Sequence, residues 1–175
     1  HLDIVQWALG MDESGPVEFF DLNAEWPAPG SLYTTAPKFD FAYRYADGTT
    51  VRVKDKQDFG AGISFEGELG TILCNRGKMD IKPLELRKPL AEGDVRLYES
   101  KDHFRNFIDA IQDGTKAAAP IEYAHRTITI AHLANIALRL HREKLRWDPA
   151  KEQILDDTEA TAMLTRPMRS PWQLV

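Results

Sequence analysis

Residues able to move a proton or grip a hydroxyl stand at the very start of the chain, His1 and Asp3. They lie in HLDIVQWALG, where Ile4, Val5, Ala8 and Leu9 recur at helical spacing. Helix positions two apart point to different sides, so His1 and Asp3 do not form one catalytic pair, although either can reach a pocket separately. An imidazole at position 1 can serve as general acid or base. A carboxylate at position 3 can orient such a group, or simply complement the helix dipole. His103 is the next candidate. It falls three residues after Ser100, a plausible N-cap, and reads either as a functional imidazole or as a capping and packing residue.

Other titratable residues carry less. His125, His132 and Arg139 recur at seven-residue spacing on one helical face. Neighbours two turns apart are separated by about 10 Å, too far for one metal with bonds of about 2 Å without a third element, so they read as a polar helix face, with a ligand-facing edge as the alternative. Glu66, Glu68 and Asp80 lie near turns without a legible partner. Cys74 is the single cysteine, which excludes an internal disulfide and a cysteine-based metal site; it sits in an apolar run and reads as core. Gly60-Ala61-Gly62 has the wrong spacing for a dinucleotide fingerprint and precedes a strand. No P-loop, GxSxG elbow or HExxH occurs. No metal site and no cofactor-binding residues are therefore expected in this chain.

These residues must be positioned by a chain of 175 residues, enough for one domain and a core without staples. A net charge of −5 argues against nucleic acid, and the basic cluster from Arg139 to Arg146 reads as a solvated helix end. No apolar run approaches the roughly 18 residues of a membrane span, so no membrane partner is expected.

The first helix ends at Gly10, and Asp12-Glu13-Ser14-Gly15-Pro16 reads as a turn. A strand is expected over Val17–Leu22, then a loop to Pro37. Phe39, Phe41, Tyr43 and Tyr45 alternate with polar or small residues, a strand with one buried face. Asp47-Gly48 turns it into a return strand with Val51 and Val53. Further strands start at Ile63, Thr71 and Met79, giving an antiparallel meander. Phe104, Phe107, Ile108 and Ile111 form the stripe of a helix ending at Gly114. A longer helix runs from about Glu122 to Arg142, with Ile130, Leu133, Ala134, Ala137 and Leu138 inward. Leu145 and Trp147 form a short extended piece closed by Asp148-Pro149, and Thr158–Leu164 is a last helix. The layout predicts an α+β fold, a largely antiparallel sheet with helices packed on one face.

Three segments resemble one family. HLDIVQWALG with MDESGPV, SKDHFRNFIDAI, and the run from His132 to Trp172 with its Trp-Asp-Pro break and Arg-Ser-Pro-Trp tail are similar to the C-terminal domain of the glucose-fructose oxidoreductase / inositol dehydrogenase / rhizopine-catabolism (Gfo/Idh/MocA) family, in its bacterial subgroup. The resemblance spans essentially the whole chain. It implies a single α+β domain over 1–175 that works on the substrate side of a hydride-transfer enzyme. It also implies NAD or NADP on an N-terminal Rossmann domain absent from these residues, a sugar or polyol substrate, and a homo-oligomer formed through the sheet face. The family uses an Asp-x-x-x-His-x-x-Asp helix. Matching Asp3 to the last Asp places the catalytic His just upstream of His1; a rival register makes His1 that residue. Asp3 and His103 are then the substrate-binding candidates. By itself the chain is expected neither to bind NAD(H) nor to transfer hydride. The alternatives are an autonomous self-association or carbohydrate-binding module and, more remotely, a lyase or hydratase on the same scaffold. Cytoplasmic and exported locations are both compatible.

Overall fold

The structure is a computed structural model that describes residues 1–55, 60–96 and 98–172. Helix α1 (Leu2–Ala8) buries Val5 and Gln6 and stops before Gly10, whose φ of +67° suits glycine. Among the described residues eight strands follow, interleaved with three more α-helices: β1 (Glu18–Glu25), β2 (Lys38–Arg44), β3 (Thr50–Lys54), β4 (Ile63–Gly67), β5 (Gly70–Asn75), β6 (Lys78–Lys82), α2 (His103–Asp113), α3 (Ile121–Arg139), β7 (Lys144–Asp148), β8 (Gln153–Leu155) and α4 (Thr158–Ala162). The expected α+β class with a largely antiparallel sheet is what the chain adopts, and α3 is the helix that packs across the main sheet, while α2 does not.

The main sheet has the order β3-β2-β1-β7-β8, antiparallel throughout. Its register aligns Phe19 with Tyr43 and with Leu145, and Tyr43 with Val51, so the bulky alternating residues share one face. That face packs against α3, whose Ile130, Leu133 and Ala137 are completely buried. Truncating such a leucine or isoleucine to alanine costs about 2–5 kcal/mol. The outer face is an ionic lattice. Glu18 takes Arg44 at 2.6 Å and Lys144 at 2.8 Å, and Asp40 takes Arg52 at 2.8 Å and Lys54 at 3.0 Å. Arg44 also lies over the Phe20 ring, 4.9 Å from its centroid.

Several sequence expectations are corrected. The meander is not one sheet: β4, β5 and β6 form a separate three-stranded sheet. The Leu145–Trp147 piece is instead a full strand of the main sheet beside β1, and it pairs with β8, which composition did not signal. β1 runs on to Glu25 through a register shift after Phe20, where Asp21 takes φ 52°; the shift keeps it paired to β2. The long helix stops at Arg139 rather than Arg142, and the last helix at Ala162 rather than Leu164. Asp102, not Ser100, caps α2 by accepting from the Arg105 N–H, because only Asp102 stands next to the first helical residue. The α2 stripe is exposed in the single chain, and Cys74 is half-buried on the small sheet rather than in the core. No described helix is long and apolar enough to cross a membrane.

Candidate functional site

Asp3 sits in the first turn of α1, and α1 is held in place by Gln6. The completely buried Gln6 donates from Nε2 to the carbonyls of Met11 (3.0 Å) and Ser14 (3.2 Å), and its Oε1 accepts from the Tyr45 hydroxyl. This ties the helix both to the turn after it and to the main sheet. Asp3 is left exposed beside α3, and its Oδ1 accepts from the Thr127 hydroxyl at 3.2 Å.

Four further groups gather near this pair. Lys116, just beyond α2, donates to the Tyr123 hydroxyl at 2.8 Å, and its ammonium lies 4.5 Å from that ring's centroid. Glu13 approaches Lys116 at 3.8 Å. Asp12 has its pKa raised by burial first, and next by the nearby Asp3 carboxylate, with Lys116 opposing. Lys116 is held more firmly protonated by its bond to Tyr123. Carboxylate acceptors thus stand beside hydroxyl and ammonium donors on a polar, solvent-facing surface, a set suited to a ligand with several hydroxyls.

The other sequence candidates lie apart. His1 is exposed at the N-cap of α1 and makes no side-chain capping bond. His103 is exposed as the first residue of α2, its ring edge-on to Phe104 at 6.0 Å, and no hydrogen bond among the described residues joins it to Asp3. His125 bonds Glu152 at 2.7 Å, while Arg139 lies over Trp26 and donates to the Thr34 carbonyl, pinning the loop before β2. These contacts agree with the polar-face reading of that helix. No group of three metal-ligating side chains occurs among the described residues. A groove of about 470 Å³ lies along Glu18, Arg44, Arg146 and Pro149 and takes in none of the candidates.

Sequence reasoning missed Asp12, Lys116, Tyr123 and Thr127. Asp3 and Thr127 are 124 residues apart and meet only because α1 packs on α3; no local spacing encodes that.

A dinucleotide needs a crevice between parallel strands, with a helix N-terminus facing the pyrophosphate. All described strand pairs are antiparallel, so the residues present do not fit a nicotinamide cofactor.

Comparison with protein families matches residues 1–174 to the model described as "Oxidoreductase family, C-terminal alpha/beta domain". Comparison with curated proteins and with solved structures gives no match.

Proposed function

The chain belongs to the Gfo/Idh/MocA oxidoreductase family, as its C-terminal alpha/beta domain, and from that premise we propose that it is the substrate-side and oligomerising domain of an NAD- or NADP-dependent sugar or polyol oxidoreductase of the bacterial subgroup. The observation that carries the reading is Asp3, exposed on a helix locked to the sheet and oriented by Thr127, with Asp12 and Lys116 close by. In this role Asp3 accepts a hydrogen bond from a substrate hydroxyl and fixes its orientation. Proton transfer falls to the histidine of the α1 motif, just before His1 or at His1 itself. His103 stands on a different helix and is a secondary candidate for contact with substrate. In this reading the cofactor sits on a Rossmann domain, in keeping with the antiparallel pairing of all the described strands.

Self-association is proposed through the outer face of the main sheet. Glu18 and Asp40 alternate there with Arg44, Arg52, Lys54 and Lys144, and a mosaic of both signs can pair with its own copy about a two-fold axis.

The test is turnover by the polypeptide that carries this domain, followed at 340 nm with NAD⁺ or NADP⁺ and a panel of sugars and polyols. Asp3→Ala is expected to lower kcat/KM at least tenfold. Wild-type turnover in that variant would overturn the role of Asp3, and absence of hydride transfer across the panel would overturn the substrate class.

A further inference from the structure

Two apolar surfaces are left open in the single chain, and they have complementary form. On α2, Phe104, Phe107, Ile108 and Ile111 are 83%, 59%, 44% and 64% exposed. Offsets of 0, 3, 4 and 7 put them on one helical face. The second surface belongs to the small sheet. Its register joins Ile63 to Cys74 and Cys74 to Met79, and joins Phe65 to Ile72 and Ile72 to Ile81. Those six apolar side chains therefore share one side, while Ser64, Glu66, Thr71, Asp80 and Lys82 take the other with a single large apolar residue, Leu73. On the apolar side Ile63 is buried, Phe65, Cys74 and Ile81 are half-buried, and Ile72 is 37% and Met79 60% exposed.

A helix face and a sheet face of this kind are ordinarily buried against each other. The lengths agree: eleven helical residues span about 16 Å, and five strand residues about 17 Å. Area decides the occupant. At roughly 150–250 Å² for a fully exposed aromatic, the helix stripe offers about 450 Å² and the open part of the sheet about 300 Å². Either alone falls short of the roughly 600–1,000 Å² per partner typical of a stable interface, and the two together, at about 750 Å², fall within it. A two-fold pairing of identical chains engages both at once. We propose that this chain self-associates by a reciprocal helix-on-sheet contact, α2 of each protomer covering the apolar side of the partner's three-stranded sheet. This contact is separate from the outer face of the main sheet and does not depend on it.

Cys74 lies on the apolar side of the small sheet and is the single cysteine, so one introduced cysteine tests the contact. Ile108→Cys, treated with copper phenanthroline, is expected to give a disulfide-linked dimer on a non-reducing gel. That dimer should be lost when Cys74→Ser is added. Asp109→Cys, facing away from the stripe, should give little. In sedimentation equilibrium, Phe107→Glu and Ile72→Glu should each weaken the wild-type dimer at least tenfold, and mixing the two variants should restore part of it through the one intact contact. Both side chains are exposed in the single chain, and circular dichroism verifies that the variants fold. Three outcomes would each overturn the proposal: a monomer in which Cys74 is bonded to the introduced thiol of its own chain, a dimer that persists in the Cys74→Ser background, or no disulfide while the chain remains dimeric. The last assigns association to another face, such as that of the main sheet.

Discussion

Gln6 and Tyr45 meet in the interior, the Tyr45 hydroxyl donating to the Gln6 amide oxygen, and this single bond links α1 to the end of the strand that carries most of the core aromatics. The same amide spends its two N–H groups on the carbonyls of Met11 and Ser14. The turn that carries Asp12 and the helix that carries Asp3 are thus held by one side chain.

Gln6→Ala should therefore be costly for a polar residue. It takes the partner from the buried Tyr45 hydroxyl and from the Ser14 carbonyl, while the Met11 carbonyl keeps the Ser14 N–H, and each unsatisfied buried group costs about 1–3 kcal/mol. The expected loss is about 3 kcal/mol in urea denaturation. A change below ~1 kcal/mol would show that water replaces the amide without penalty.

Tyr45 also sets an alkaline limit. Burial raises its pKa to about 12 from an ordinary 10.0. Between those values the unfolded chain has released the phenolic proton and the folded chain has not. The folded state binds more protons there, so stability falls as pH rises from about 10 to about 12. Tyr45→Phe should flatten that slope, read from denaturation midpoints at stepped pH; an unchanged slope assigns the limit to other groups. Tyr43, fully buried beside it, is raised still further by burial.

An acid limit comes from the ionic lattice. Asp40 is held below its ordinary 3.8, chiefly by its bond to Arg52, and Glu18 below 4.5, chiefly by its bond to Lys144. For groups with lowered folded pKa values, the contribution is present above the unfolded value and is lost as pH falls through the folded one. Stability should drop as pH goes below about 4.5. Asp40→Asn should reduce the steepness while costing no more than about 1 kcal/mol at pH 7, as pairs near a surface do. A steepness equal to wild type would remove Asp40 from the account.

The carboxylates near the candidate site are coupled in a way that can be measured without any substrate. Asp3 raises the pKa of Asp12, and Lys116 lowers it. Asp3→Asn should therefore shift the Asp12 titration down, and Lys116→Met should shift it up, as followed by carboxyl carbon NMR. No shift in either variant would show that the groups do not share one electrostatic environment, and the gathered hydroxyl-binding surface would lose its basis.

Much of the fold was legible where one face of an element is buried. The Phe39–Tyr45 alternation and the Ile130–Leu138 stripe announce their elements because burial writes a period into the sequence. Pairing partners are not written that way. Trp147 reads as extended, but nothing local says that its strand lies beside β1 rather than beside its neighbours in sequence. The α2 stripe reads correctly as amphipathic, yet its period cannot tell whether the chain itself or another copy covers it. The site divides similarly. Asp3 was visible through its motif, whereas Thr127, Lys116 and Tyr123 join it only through the packing of distant segments.

The strand order also has a kinetic meaning. β1, at the centre of the main sheet, is flanked by β2, which begins at Lys38, and by β7, which begins at Lys144. One edge of the core can zip early, but the other waits for a strand that begins 119 residues after β1 ends, from Glu25 to Lys144. Such distant pairing slows folding. In the interval β1 presents an unsatisfied edge that can template pairing with another nascent copy. The Trp-Asp-Pro segment thus acts as a late closure, and a chain interrupted before Lys144 is expected to aggregate rather than fold.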